Sequence, residues 1–338
     1  MTEAVSLFSL SHDVLRIANG KVKAIQKTVS RSKVLSLNAM ILATKAGEHG
    51  AGFAVVAREA VDIADTIDSQ ARSLAQELAP TISVIEQFGT EVQGNRLTDL
   101  ALHLIEIIDR NLYERSCDVR WWATDAAVID CLAEPTAERC AHAGRRLGVI
   151  LDSYTVYLDI WLADPHGTVV ACGRAAQHPA VIGSSVADQS WFTKALATTA
   201  GDQFAVGEIA PCSGLDGRLV ATYSTAVRAG GALDGAVLGV IGIHFNWQEQ
   251  AKQVVESVRL SASEKPTTRC LIVDAHGLVL ASSDGKGVLS ERIELPREPS
   301  VGHVAENGRT IGFALTPGYE SYRGLGWSGV IMQQQSSA

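Results

Sequence analysis

The sequence has few basic residues and no long hydrophobic run, and both absences restrict its function. Its 338 residues include 29 Lys and Arg against 37 Asp and Glu, which gives a formal net charge of −8. Binding to nucleic acid without base readout needs clustered basic side chains that displace counterions from phosphates, and no such cluster occurs. The longest apolar run, residues 236–243, is far shorter than the roughly 20 residues that span a bilayer. We therefore expect no nucleic-acid partner and no membrane span.

The sequence also lacks a secretory signal and any dense cysteine pattern. The opening segment MTEAVSLFSLSHD has neither a basic start nor a long apolar stretch, so we expect a cytoplasmic protein. The six cysteines form no CxxC pair, which excludes a zinc ribbon and a disulfide framework, and buried free thiols are the simplest interpretation. Cys117 with His142, or Cys172 with His244, could ligate haem or a metal ion, but no spacing signature supports either pair.

Catalytic signatures are absent as well. The nine histidines show no HExxH or His-x-His spacing, and no GxxxxGK[ST] phosphate loop occurs. Gly239 and Gly242 lack the strand-to-helix context of a nucleotide fingerprint. We therefore predict no enzymatic activity, no cofactor and no metal.

The first ninety residues carry two helical repeats separated by glycines. Apolar residues step by three or four in both runs, and residues 47–52 between them contain three glycines that permit a tight reversal. This pattern predicts an antiparallel helical hairpin. Pro80 removes a backbone donor and should end or kink the second arm, and we expect Gly89 and Gly94 to mark the boundary of the hairpin. A lone hairpin leaves its apolar seam half covered, so we expect a homodimer that forms a four-helix bundle.

The remaining sequence changes from a helical period to an alternating one. The apolar spacing from Asn95 to Ile129 predicts one long helix, and a shorter helix follows near 138–151. Beyond Ser153 the pattern alternates as in strands, and residues 157–173 are echoed by residues 269–284 around an Asp-x-His-Gly turn. Turn geometry alone explains the two turns. We predict an α+β fold in which two tandem modules of antiparallel sheet follow a long helix.

The hairpin resembles the cytoplasmic tip of methyl-accepting chemotaxis receptors. Residues 37–39, 46–48 and 50–59 stand where that family has LNA, AGE and GRGFAVVAxE. The resemblance implies a dimeric four-helix bundle that contacts a histidine kinase and its coupling adaptor, and it assigns signalling roles to the matched positions Asn38, Glu48, Gly50, Gly52, Phe53 and Glu59. Leu42, Lys45 and Ala51 replace residues that are charged in the family, and Arg58 is also unusual.

The rest of the chain resembles a double Cache sensor, a long helix followed by two PAS-like modules. Residues 188–195 stand at a DRxWYxxA-like segment, residues 235–242 at a glycine-rich late strand, and residues 111–125 resemble the NLYER…LATD helix of some cytosolic Cache proteins. We therefore expect three parts: the hairpin over 1–94, the long helix with the first Cache module over 95–248, and the second Cache module over 249–338.

The first module carries the candidate ligand site. We expect aromatic and polar residues of its strands and helix-bearing loop to converge on a pocket for an unidentified small molecule, namely Tyr157, Asp159, Trp161, Asp188, Gln189, Trp191, Phe192, Tyr223 and His244. The alternative is an aromatic core that simply buries area. Asp159 favours a pocket, because a mid-strand carboxylate is costly to bury without a partner.

The resemblance also bears on the ligand. Double Cache sensors that bind amino acids carry an arginine two residues before the tryptophan and an aspartate on the late strand, where this chain has Gln189 and His244. We therefore expect a ligand other than a free α-amino acid, such as a neutral heterocycle. The predicted function is a soluble chemoreceptor-like transducer, and the alternative is a dimeric binding or scaffold protein whose hairpin serves only for dimerisation.

Overall fold

The computed structural model describes residues 7–334, with side chains from residue 13 onward. The described chain divides into two compact units, one of residues up to Gln93 and one from Gly94 onward. The division falls inside a single continuous helix, so each unit contains part of that helix. Within residues 7–334, no helix is both long and apolar enough to cross a membrane.

The first unit is the predicted antiparallel helical hairpin. Its first arm, α1 (Leu7–Lys45), leads through a 3-10 turn (Gly47–Gly50) into α2, which begins at Ala51. Small or branched residues at seven-residue spacing are buried between the arms, namely Val22, Val29, Ser36 and Ala43 on α1 and Ala57, Ala64 and Ala71 on α2. The predicted apolar repeat of α2 also included large side chains, and these lie outside the buried row: Phe53, Ile63 and Leu74 are 75%, 56% and 48% exposed.

Helix α2 (Ala51–Trp122) runs on through Pro80, so the prediction that this proline ends the second arm is wrong. The predicted boundary at Gly94 coincides with the division between the two units, which lies inside the helix. A proline inside a helix removes one hydrogen bond and crowds the preceding turn. Seventy-one other residues retain helical geometry around it, and Thr81 Oγ1 donates to the carbonyl of Glu77, 2.9 Å away. The rest of the helix therefore outweighs this local penalty.

The helix that we predicted to continue to Ile129 ends instead at Trp122. Asp125 accepts a hydrogen bond from the backbone N–H of Ala127 and caps a new helix, α3 (Ala126–Ala133). Thr136 in turn caps α4 (Ala137–Ser153). Apolar residues keep a helical spacing across the first break, and for this reason periodicity alone did not detect the cap at Asp125, whereas the shorter helix after residue 136 was predicted.

The second unit contains two antiparallel sheets. The first sheet has the order β2-β1-β6-β5-β3, with β4 also pairing with β5. Its strands are β1 (Tyr157–Ala163), β2 (Val169–Cys172), β3 (Ala205–Val206), β4 (Ala210–Cys212), β5 (Arg218–Arg228) and β6 (Val237–Asn246), and α5 (Ser190–Leu196) lies between β2 and β3 in the chain.

The second sheet repeats this arrangement in the order β8-β7-β11-β10-β9. It follows α6 (Trp247–Glu256) and consists of β7 (Thr268–Val273), β8 (Val279–Ser282), β9 (Val301–Glu306), β10 (Arg309–Leu315) and β11 (Ser328–Gln334). The carboxylates of Asp164 and Asp274 accept backbone N–H bonds at equivalent positions of the two repeated turns. The α+β fold with two repeated sheet modules is therefore confirmed, and both His-Gly turns are explained by turn geometry.

Packing of helices against the two sheets forms the main core of the second unit. Gly312 and Gly329, on β10 and β11, lie so close to α2 that an added Cβ would fall within 2.3 Å of its backbone. Around the first sheet, α3 and α4 cover one face, where Leu132 and Leu147 are buried. A separate cluster around Trp161, Trp191 and Phe192 occupies the opposite face. The candidate site lies on that opposite face.

Candidate functional site

A β-bulge at Leu158 determines which residues of β1 face the site. Tyr157 pairs with Phe245 and Asp159 pairs with His244, so one extra residue stands between the two pairs. Because of this bulge, Tyr157 packs on the helix-covered face, whereas Trp161 packs on the other face. The prediction that Tyr157 shares a strand face with Asp159 and Trp161 is therefore wrong, since a bulge shifts the alternation by one residue.

Tyr157 belongs instead to an aromatic and charged cluster against α2. Its ring packs edge-on against Trp122, and its hydroxyl donates to the carboxylate of Asp118. The guanidinium of Arg115 lies 5.1 Å from the ring centroid. This cluster ties β1 to the helix and leaves Tyr157 without access to a ligand on the opposite face.

Asp159 is fully buried and has complete hydrogen bonding. Its carboxylate accepts from the backbone N–H of Ile160 and Arg174, at 2.8 and 3.0 Å, and from the indole N–H of Trp161 at 3.0 Å. Burial raises the pKa of Asp159, and these hydrogen bonds oppose the rise. The partner that we expected a ligand to supply is therefore supplied by the chain itself, and Asp159 orients Trp161.

His244 lies between two tryptophans. The centroid of its ring is 4.0 Å from that of Trp161 and 5.6 Å from that of Trp191. Nδ1 lies 3.0 Å from Oγ1 of Thr222, whereas Nε2 is buried and has no hydrogen-bond partner. Burial lowers the pKa of His244 to about 3, so the imidazole is neutral near pH 7. A buried polar atom without a partner costs about 1–3 kcal/mol, which a polar ligand atom could recover.

The two tryptophans and His244 line a concavity of about 490 Å³. Trp191 lies directly over β6 because Gly242 has no side chain there; an added Cβ would be 2.7 Å from the indole ring. The remaining lining residues are mostly small, apolar or hydroxyl-bearing, namely Ala180, Val181, Ser184, Ser185, Val186, Gln189, Ser190, Gly207, Glu208, Ala210, Pro211, Cys212, Ser213, Gly214, Val220 and Thr222. Among the described residues of this lining, none is lysine or arginine, and Glu208 is the one carboxylate.

Four of the nine predicted ligand-site residues line this concavity, namely Trp161, Gln189, Trp191 and His244. Tyr223 does not, because Thr222 pairs with His244 and the next residue points to the opposite face. There the hydroxyl of Tyr223 lies 2.9 Å from that of Tyr322, a bond between the two modules. Phe192 packs edge-on against Trp191 outside the lining, and Asp188 is exposed beside it.

Several lining residues had no sequence signal. Ser184, Ser185, Ser213 and Cys212 come from loops and short strands whose paths only the fold determines. Thr222 did have a sequence signal, because strand alternation places it on the face of the sheet opposite its neighbour Tyr223. Among the described residues, no group of three His, Cys, Asp or Glu side chains could hold a metal ion.

The predicted signalling residues lie at the hairpin tip. Asn38, Glu48, Gly52, Phe53 and Glu59 are exposed, and Gly50 is buried. An added Cβ at Gly50 would lie 2.1 Å from the carbonyl oxygen of Ala43, so the close approach of the arms requires glycine. An exposed tip leaves these side chains available to another protein surface.

Comparison with known proteins finds two kinds of similar protein. Residues 9–105 match the model of the methyl-accepting chemotaxis protein signalling domain. Over 90 residues, the chain is 37% identical to a sensory transducer protein of Bacillus subtilis, YvaQ, a match that covers 24% of this chain. That match spans only 16% of the length of the Bacillus protein.

The sheet modules have the fold of chemoreceptor ligand-binding domains. The ligand-binding domain of the Pseudomonas aeruginosa amino-acid chemoreceptor PctC, solved with GABA, superposes with a TM-score of 0.53 at 20% identity and covers 71% of this chain and 99% of that one. The domain of the Pseudomonas fluorescens chemoreceptor CtaA, solved with L-serine, gives 0.51 at 18% identity and covers 71% and 96%. The chain thus joins a segment that matches the chemotaxis signalling domain to sheet modules with the Cache-type sensor fold.

Proposed function

We propose that this chain, a methyl-accepting-chemotaxis-type signalling segment joined to a Cache-type sensor fold, is a sensory transducer that binds a small molecule in its first sheet module. Ligand binding there biases the conformation of the helical hairpin. Helix α2 contributes residues to both units, which makes it the covalent route between them. Packed helices can hold two discrete arrangements, and a ligand shifts them by its differential affinity.

One observation carries the ligand-binding part: a neutral, buried histidine with an unpartnered Nε2 lines a concavity between two tryptophans. Aromatic walls with a few polar groups are typical of small-molecule sites. The ligand contacts that we propose are three residues of the predicted set, Trp161, Trp191 and His244. Gln189 lines the concavity with an exposed side chain, and Thr222 is a further contact that the sequence analysis did not include. Asp159 acts through Trp161, which it orients.

The charges of the lining indicate the ligand class. A carboxylate ligand needs a cationic partner, above all a guanidinium, and the described lining offers none. Because His244 is neutral, it cannot supply that charge. The GABA and L-serine named with the two similar structures are therefore poor guides to this site. The concavity fits an uncharged planar molecule that stacks on an indole and pairs one polar atom with Nε2.

Paired ligands test this proposal on the full chain. Uncharged heterocycles are compared with their carboxylate analogues, for example nicotinamide with nicotinate, by thermal shift and then by calorimetry. We expect neutral members to raise the melting temperature and carboxylates to have no effect. Trp191→Ala should weaken binding at least tenfold, whereas Trp121→Ala, which removes an exposed tryptophan outside the concavity, should not. Preferential binding of the carboxylates would contradict the proposed ligand class.

The signalling part of the proposal concerns the hairpin. Large apolar side chains such as Phe53 and Val56 are exposed on it, and contiguous exposed apolar surface marks interaction sites. A homodimer would cover this surface, and the exposed tip residues Asn38, Glu48 and Glu59 would contact a histidine kinase and its coupling adaptor. A cytoplasmic location is part of this proposal, and cell fractionation tests it.

A second candidate is a dimeric binding protein whose hairpin has lost kinase coupling. Leu42 favours it, because this side chain is 66% exposed at a position where the resembled family has a glutamate. Pull-down of a chemotaxis kinase and adaptor by the full chain separates the two functions. Capture that is lost in Glu48→Lys supports the transducer, and absence of capture with intact ligand binding supports the second candidate.

A further inference from the structure

Two cysteines of the first module face each other between two consecutive helices. Cys131 lies on α3 and Cys140 on α4, and their Sγ atoms are 3.1 Å apart. Both are free thiols. A disulfide bond is about 2.05 Å long, so the two sulfurs are about 1 Å beyond bonding distance. A small adjustment of two side chains would therefore join them.

The two thiols differ in access to solvent. Cys131 has 0% exposure, and Cys140 is partly exposed. A dissolved oxidant therefore reaches Cys140 first, and Cys131 can react only with its neighbour. Burial raises the pKa of Cys131, which keeps this side chain in the thiol form. These are the roles of an attacking and a resolving cysteine.

We propose that Cys131 and Cys140 form a thiol–disulfide switch that a low-molecular-weight disulfide oxidises. The thiolate of Cys140 attacks one sulfur of the oxidant, which forms a mixed disulfide and releases one small thiolate. Cys131 then attacks Sγ of Cys140 as its proton passes to the departing small thiolate, which forms the internal bond and releases the second small molecule as a thiol. Two electrons pass from the protein to the oxidant, and two small thiols are produced.

The position of the pair gives the bond a structural consequence. Leu132, next to Cys131, packs under Gly239 of β6, the strand that carries His244. On α4, Gly144 approaches the carbonyl of Cys172 at the end of β2. The disulfide would thus tie together the helices that pack behind two strands of the first sheet. The proposal concerns the thiols alone and does not depend on the ligand.

Equilibration in glutathione buffers tests the switch in the full chain. The protein is held at a series of reduced-to-oxidised glutathione ratios, quenched with acid, alkylated after denaturation and mapped by peptide mass spectrometry. We expect alkylation of Cys131 and Cys140 to disappear together, in a single two-electron transition within one chain. Cys172→Ser, which removes another buried cysteine of the same module, should leave the midpoint unchanged, and Cys131→Ser should trap Cys140 as a glutathione mixed disulfide.

Three results would overturn the proposal. The first is that both thiols remain alkylated at ratios that oxidise thioredoxin. The second is accumulation of a mixed disulfide at Cys140 in the unmodified chain. The third is a bond from either cysteine to a different cysteine or to a second chain. Circular dichroism of the oxidised and reduced samples verifies that each reading comes from folded protein.

Discussion

At the scale of single residues, the buried neutral imidazole of His244 makes the folding stability of the protein depend on pH. The side chain is 1% exposed and its pKa lies near 3, because burial disfavours the charged form. In the unfolded chain a histidine binds a proton below about pH 6.5. The folded-state pKa is thus depressed, and the stability that His244 contributes is complete above pH 6.5 and is lost as the pH falls toward 3.

We therefore predict that acid destabilises the native chain more than a variant without this imidazole. From pH 7.5 to 5.0 the unfolded state gains nearly one proton at this position, which costs about 2 kcal/mol of stability. Urea unfolding at pH 7.5, 6.0 and 5.0 should show a smaller loss of stability for His244→Phe than for the native chain. His244→Gln provides a second variant that retains a polar side chain. Identical pH profiles would show that the imidazole is solvated and protonates freely.

The buried carboxylate of Asp159 makes a different prediction at this scale. Three N–H donors depend on it, and a buried donor without an acceptor costs about 1–3 kcal/mol. Asp159→Ala should therefore destabilise the fold by about 3 kcal/mol or more, which chemical denaturation measures. Asp188→Ala removes an exposed carboxylate nearby and should have little effect. Undiminished stability of Asp159→Ala would contradict a structural role for this residue.

At the scale of elements, small features decide which faces the strands and helices present. One extra residue in β1 moves Tyr157 to the helix side and leaves Trp161 at the concavity. In the hairpin, alanine, serine and valine side chains rather than larger apolar ones fill the space between the arms, so α1 and α2 approach closely. The large side chains are thereby left on the outer surface of a single hairpin.

The close approach at the hairpin tip predicts unequal effects of two alanine substitutions. Gly50→Ala forces the arms apart, since its Cβ would be 2.1 Å from the carbonyl oxygen of Ala43, whereas the Cβ of Gly52→Ala meets nothing within 4 Å. Gly50→Ala should lower the melting temperature of the helical signal at 222 nm. Gly52→Ala should leave it unchanged or raise it, because alanine favours a helix over glycine by about 1 kcal/mol. Equal melting temperatures would show that the arms are not in contact at the tip.

At the scale of the whole molecule, the arrangement of apolar surface predicts self-association. Phe53, Val55 and Val56 are all more than 60% exposed in a single chain, and such a patch is unusual on a monomer. Phe53→Asp places a charge where burial would require desolvation without a partner. Light scattering should give the mass of a dimer for the native chain and a mass shifted toward the monomer for this variant.

The matched control for the dimer is Leu233→Asp, which adds the same charge at an exposed apolar residue of the second unit. This variant should keep the mass of the native chain. A native chain that is monomeric at tens of micromolar would show that the exposed surface of the hairpin serves another partner.

The sequence by itself determined the helical hairpin, the repeated sheet modules and the presence of Trp161 and Trp191 at the candidate site, because helical periodicity, turn chemistry and strand alternation are local signals. The tertiary structure decided what depends on distant packing. Helix α2 continues through Pro80 because one lost hydrogen bond is small beside a helix of 72 residues. Asp159 has a structural role because the backbone N–H of Arg174, fifteen residues away in the chain, donates a hydrogen bond to its carboxylate. Thr222 rather than Tyr223 lies beside His244 at the concavity, because the pairing register of β5 and β6 decides it. Contacts between the two strands set this register, and neither strand specifies it alone.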